Sequence, residues 1–218
     1  LDGLGQLLPT DVAKALDSDI PEVVRFAVQL AERLLKNDAE LQSRFAALAH
    51  ADSVRVRRQV ALSIGANRRP GQAVPGAAAI LSTLISAAEP DAYVRSAALN
   101  SVSADNINSV LNAYLGRPAA EQTNNIRRNL LLLAVRVGDS AAVERALQVC
   151  LQNFDNGSLS HEAAALLAAA LDGLDSRPAT AQLQLTSSTA QHLRELHKKA
   201  MATITNANEP DDVQMAAL

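Results

Sequence analysis

Four histidines and a single cysteine are the side chains of this 218-residue sequence best suited to metal binding or nucleophilic chemistry. Their spacing speaks against both. Metal ligands on one helix face stand three or four residues apart. His192 and His197 are five apart, which turns them roughly 140° from each other on an ideal helix. His192 and Glu195 share a face, but two ligands do not make a site, and Arg194, Glu195, His197, Lys198 and Lys199 read together as a solvated charged face. His50 stands apart from the others in sequence, and His161 falls where a repeated arginine would stand. Cys150 lies in the apolar run Ala146–Leu151 with no basic neighbour to lower its pKa, so it reads as a small buried apolar residue. A lone cysteine also excludes an internal disulfide, a CxxC and a haem-attaching CxxCH. No GxGxxG, Walker loop, GxSxG or HExxH occurs, Gly3-Leu4-Gly5 is too short to cradle phosphate, and the carboxylates are scattered over turns. No catalytic, metal-binding or cofactor-binding residue is expected, and the domain reads as a non-enzyme.

What does recur is an arginine. Pro21-Glu22-Val23-Val24-Arg25-Phe26-Ala27 returns as Ser53-Val54-Arg55-Val56-Arg57-Arg58-Gln59-Val60-Ala61, again as Pro90-Asp91-Ala92-Tyr93-Val94-Arg95-Ser96-Ala97-Ala98, and more loosely as Asn124-Asn125-Ile126-Arg127-Arg128. Arg25, Arg57, Arg95 and Arg127 are 32, 38 and 32 residues apart. Self-similarity in that range marks stacked helical repeats. In such a stack equivalent side chains form a ladder, and the acids Asp19, Asp52 and Glu89 shortly precede three of the four. The expectation is a structural ladder in which an adjacent repeat's arginine bridges to the turn acid or to a turn carbonyl. The other reading is a ladder that binds an anionic partner.

Arg55, Arg57, Arg58, Arg68 and Arg69 form a local basic cluster, but with aromatics at 2% and a net charge of −3 the sequence lacks the stacking residues and the overall field of a nucleic-acid binder. Neither nucleic acid nor membrane insertion is expected. Tyr93 and Tyr114 are candidates either for partner anchors or for packing between repeats.

The elements that must position these residues are helices. Alanine and leucine dominate, tryptophan is absent, and strand-forming aromatics are few. A short first helix spans Leu7–Leu16. Asp17, Ser18 and Asp19 form a turn able to cap the next helix, which opens on Pro21 and carries an apolar stripe of Val24, Ala27, Val28, Ala31, Leu34 and Leu35. Further pairs are expected at Ala39–Ala51 with Ser53–Ala66, Gly76–Ala88 with Asp91–Ser103, Asn106–Leu115 with Glu121–Val137, and Ser140–Phe154 with Leu159–Leu174. A break falls at Asn67–Gln72, a turn at Asp155-Asn156-Gly157, an irregular stretch at Asp175–Leu185, and a long helix at Ser187–Asn206. Residues 1–218 thus read as one all-α domain, an α-α superhelix of about five to six antiparallel helix pairs. A compact single-core bundle is the alternative, without a reason for the repeated phrase.

The recurring Val-Arg phrase, opened by a proline in two of its copies, resembles HEAT repeats. Leu1-Asp2-Gly3-Leu4-Gly5, Pro21–Arg25, Val56–Gly65 and Asp91–Ser101, in that order, resemble over about residues 1–115 the HEAT-repeat middle region of large secreted proteins of planctomycete-type bacteria. In that family the repeats lie between a membrane-bound dehydrogenase-like domain and a C-terminal c-type cytochrome domain. The resemblance implies a spacer or protein-interaction domain of an exported electron-transfer protein, binding protein partners or neighbouring domains of its own chain, and periplasmic or exported in location. Without it, a stand-alone cytoplasmic HEAT adaptor is the second reading, and a lyase or nucleic-acid protein on the same scaffold the third. Both ends read as cut, so the chain is expected to be a domain of a longer protein. The CxxCH and the dehydrogenase domain of that family have no counterpart here, so no cofactor is expected in this segment.

Overall fold

The computed structural model describes residues 7–66, 74–86, 91–152, 168–170, 172–174, 186–191, 193–195 and 198. Every regular element among them is a helix. The chain divides into two compact units, Leu1–Leu130 and Leu131–Leu218.

The first unit holds α1 (Pro9–Leu16), α2 (Pro21–Ala31), α3 (Ala39–Leu48), α4 (Val54–Ala66), α5 (Ala77–Ser86), α6 (Ala92–Asn100) and α7 (Ile107–Leu115). They form two layers. In one, α1 packs on α3, α3 on α5, and α5 on α7; in the other, α2 packs on α4 and α4 on α6. The layers meet through the pairs α1 with α2, α3 with α4, and α5 with α6, with α4 also touching α5. Each helix therefore finds its partners one or two places along the chain, as in an α solenoid.

The sequence dictates these helices through their ends and their buried stripes. Pro9 and Pro21 occupy first-turn positions, where a missing N–H costs nothing. Asp11 in the first turn of α1 accepts from the Leu8 N–H at 3.3 Å. Asp38 caps α3 by accepting from Leu41 N–H at 3.0 Å, and Asp91 caps α6 by accepting from Tyr93 and Val94 N–H at 2.8 and 3.0 Å. The turn before α2 differs from expectation. Its N-cap is Ile20, which has no side-chain cap, and Ser18 Oγ instead accepts from the Ile20 N–H at 3.2 Å. The apolar stripe of α2 is Val24, Ala27, Val28 and Ala31, all buried, but the helix ends there. Leu35 is buried from a separate 3-10 turn, Leu35–Asn37, whose carbonyls at Leu35 and Lys36 are held by Gln42 Nε2 at 2.9 and 3.0 Å.

Leu41 and Phe45 of α3 and Val56, Val60, Ala61 and Ile64 of α4 fill the core as their spacing requires. Tyr114 of α7 is wholly buried. Its hydroxyl accepts from Thr123 N–H at 2.8 Å and lies 3.2 Å from the Thr123 carbonyl. Gln122 Nε2 donates to Leu115 and Arg117 carbonyls at 3.1 and 2.7 Å. These bonds fix the stretch after α7 and delay the next helix. Instead of starting at Glu121, α8 (Asn124–Val137) starts after Thr123, whose hydroxyl faces the Ile126 N–H at 3.4 Å. Glu121 ends a 3-10 turn, Ala119–Glu121, and pairs with Arg117 at 2.9 Å.

α8 runs across the boundary between units. In the second unit α9 (Ser140–Gln152) is capped by Asp139, which accepts from Ala142 N–H at 2.9 Å. Ala142, Val143, Ala146 and Leu147 make its buried stripe. Residues 168–170 and 172–174 are helical, as are 187–191 and 193–195. The Asn67–Gln72 break, the Asp155–Gly157 turn and the full extents of the Leu159–Leu174 and Ser187–Asn206 helices fall outside the described residues.

Candidate functional site

The four repeated arginines share a sequence register but not a role. Arg25 lies over the Phe26 ring, its guanidinium carbon 4.2 Å from the centroid. Arg57 donates through Nη1 to the Ala51 carbonyl at 2.5 Å and to the Asp52 carbonyl at 3.0 Å, closing the turn that precedes its own helix. Arg95 has its Nε buried with no hydrogen-bond partner among the described residues. Arg127 donates to Asn124 Oδ1 at 3.0 Å. Arg57 thus meets turn carbonyls, but those of its own repeat and not of an adjacent one.

Contacts between repeats are carried by other residues. Arg55 of α4 pairs with Glu22 of α2 at 3.2 Å, and Arg58 of α4 stands over the Tyr93 ring of α6 at 5.9 Å. Ser63 of α4 donates to Glu32, just past α2, at 2.7 Å. In the other layer Arg44 of α3 forms ion pairs with Asp17, beyond α1, and with Glu40 of its own helix. Hydrogen bonding to Glu40, with the charge of Asp17, holds the Arg44 guanidinium above its ordinary pKa. Sequence reading missed Arg44, Glu22 and Glu32, because an inter-repeat contact needs the helix offset that only the fold supplies.

The outward surface of α2, α4 and α6 is unusual in what it shows to solvent. Val23, Phe26 and Leu30 run along α2 at three- and four-residue spacing, turned away from the buried Val24–Ala31 stripe. Leu62 stands exposed on α4 and Tyr93 on α6, with Phe26 at 54% and Tyr93 at 71% exposure. The other layer presents small and polar residues instead, among them Ser43, Ala46, His50, Ala79 and Asn112. Its helices α1, α3, α5 and α7 display no large apolar side chain of their own. The two tyrosines thus part company: Tyr114 is core, and Tyr93 is surface.

A groove of about 410 Å³ lies between α3 and α5, lined in part by Gln42, Ser43, Pro75, Ile80 and Thr83. Among the described residues on its wall, His50 is the one titratable side chain. In the second unit Glu144 gathers hydrogen bonds from Thr186 and Thr189 hydroxyls, from the Thr186 N–H at 3.2 Å and from Gln148 Nε2 at 3.1 Å. Partial burial pushes its carboxyl up, but these donors outweigh it and hold the group below the usual glutamate value. Three of these donors, from Thr186 and Thr189, tie the start of the helical stretch after Thr186 to α9, and Gln148 steadies the carboxylate from its own helix.

Among the described residues no group of three or more His, Cys, Asp or Glu could hold a metal, and no helix is long and apolar enough to cross a membrane. His161, His192, His197, Arg68, Arg69 and the Cys150 side chain lie outside the described residues. Compared with known proteins, the chain matches no family model and no curated protein.

Proposed function

We propose that this chain is a non-catalytic helical-repeat module, of HEAT type, that binds protein partners or neighbouring domains as a scaffold or spacer. The observation that carries this reading is the exposed surface of α2, α4 and α6, where aromatic and aliphatic side chains stand beside arginines on one layer of a stacked, rigid support. Exposed apolar residues gathered on one face mark interaction surfaces more often than catalytic ones. Aromatic residues and arginine are the types most enriched at binding hot spots.

The order of Gly-Leu-Gly, Val-Val-Arg, Ala-Leu-Ser-Ile-Gly and Tyr-Val-Arg motifs supports placing the module inside a larger exported dehydrogenase and cytochrome c protein. Covalent haem does not fit this chain, which has one cysteine and no CxxCH. Haem and any dehydrogenase chemistry would belong to other parts of the parent. The full reading frame tests this placement: a signal peptide upstream and a CxxCH downstream are the expected result. Their absence would overturn the exported redox context and leave the stand-alone adaptor.

A further inference from the structure

The binding face has a sign as well as an apolar stripe. On α2, α4 and the turn after α2, the exposed charged residues are Glu22, Arg33, Arg55 and Arg58, and α6 adds no exposed charge of its own. The single acid among them is already paired with Arg55. Arg25, half-buried, adds a further cation over Phe26, and Glu32, half-buried just past α2, adds an acid that Ser63 hydrogen-bonds. The exposed acids Asp19 and Asp52 stand in the turns that open α2 and α4. Positive charge is therefore displayed along the helices, and negative charge at their N-terminal edge.

From this pattern we propose that the outward face of α2, α4 and α6 docks an acidic, amphipathic protein segment. Its apolar side chains would seat against Val23, Phe26, Leu30, Leu62 and Tyr93, and its carboxylates would engage Arg33, Arg55 and Arg58. The proposal rests on the reading of the chain as an interaction module and specifies the chemistry of what it binds. Charge complementarity selects this occupant. A second copy would have to lay its edge acids Asp19 and Asp52 across the arginines of the first, a dimer that the test reads out. Cationic side chains over aromatic rings suit the task, because a guanidinium stacked on a ring keeps its outer N–H groups free for a carboxylate.

The test uses the whole chain and a synthetic amphipathic helix bearing Leu and Phe on one face and Glu on the other, with its Lys-for-Glu counterpart as the contrast. Fluorescence anisotropy should show binding of the Glu peptide only, weakening as salt rises from low to high ionic strength. The Arg55→Glu/Arg58→Glu double variant and Phe26→Ala should each weaken it by about tenfold or more. Arg57→Ala, whose guanidinium closes a turn, should leave affinity within about twofold. All the face substitutions are at exposed positions, and circular dichroism checks that each variant remains helical. Equal binding of the Lys peptide through the same Phe26-dependent face would overturn the acidic partner while leaving the interaction module standing. Failure of the Glu peptide to bind, binding indifferent to the face variants, or preferential binding to phosphatidylserine vesicles would each overturn the proposal. So would a dimer abolished by Arg55→Glu/Arg58→Glu.

Discussion

Gly65 of α4 and Ser101, just past the end of α6, are in direct contact: a Cβ on Gly65 would lie 2.9 Å from the Ser101 Cβ and 3.2 Å from its Cα. Ser101 is buried there, its hydroxyl within 2.7 Å of the Ala61 carbonyl and 2.8 Å of the Ala97 carbonyl. One side-chain hydroxyl thus links the last turn of α6 to the neighbouring helix at its point of closest approach. Gly65→Ala should gain up to about 1 kcal/mol of helix propensity but lose more to overpacking, for a net destabilisation of about 1–2 kcal/mol. Chemical denaturation measures it. An unchanged or raised midpoint would mean that α4 and α6 are not in this contact.

The arginine phrase yields a sharper contrast. Arg57 is tied to the Ala51 and Asp52 carbonyls, whereas Arg58 lies over Tyr93 with little else to hold. Arg57→Ala should cost about 1–2 kcal/mol of stability, as charged hydrogen bonds to turn carbonyls are lost. Arg58→Ala should cost less than about 0.5 kcal/mol, the usual range at an exposed site. Paired thermal melts of the two variants decide it, and the reverse order would restore the idea that Arg57 belongs to the surface rather than to the turn.

Tyr114→Phe removes a hydroxyl that faces both the N–H and the carbonyl of Thr123. The expected loss is about 1 kcal/mol, with hydrogen exchange accelerating at Thr123 and leaving α2 and α4 unchanged. Acceleration spread evenly through the first unit would show that the stretch after α7 is not fixed by this contact.

Glu144 sets a pH dependence. Its folded carboxyl titrates below its unfolded value, so the folded state is favoured by its ionisation. That contribution is fully present above the unfolded value of about 4.3 and is lost as pH falls through the lower folded value. Glu144→Gln should therefore lower the melting temperature near neutral pH, and the gap to the parent should close as pH falls below about 4. A gap that widened in acid would contradict the hydrogen-bonded carboxylate.

The sequence made the helices legible because two signals agreed: apolar residues at helical spacing, and Pro or Asp at the openings of α1, α2, α3 and α6. The Pro21 start, the Val24–Ala31 stripe and the Phe45 and Val60 core positions follow from periodicity alone. The helix ends were harder. α2 stops at Ala31 although Leu34 and Leu35 continue its pattern, and Gln42, seven residues beyond Leu35, holds the carbonyls of the 3-10 turn that follows. α8 starts late because Tyr114 and Gln122 hold the stretch before it. The candidate face was hardest of all. Sequence placed weight on Arg25, Arg57, Arg95 and Arg127, which share a register. The surface is built by Phe26, Arg55, Arg58 and Tyr93, whose neighbourhood depends on how α2, α4 and α6 lie side by side. Tyr93 and Tyr114 show the same limit, since a tyrosine's fate is set by the layer it faces.

The most direct test of the interaction face is a residue-resolved NMR titration of the isotope-labelled chain with the Glu-bearing amphipathic peptide. Amide shifts should concentrate at Val23, Phe26, Leu30, Arg58, Leu62 and Tyr93, with α3 and α5 silent. Shifts confined to the α3 and α5 groove around Ser43, His50 and Thr83 would contradict it.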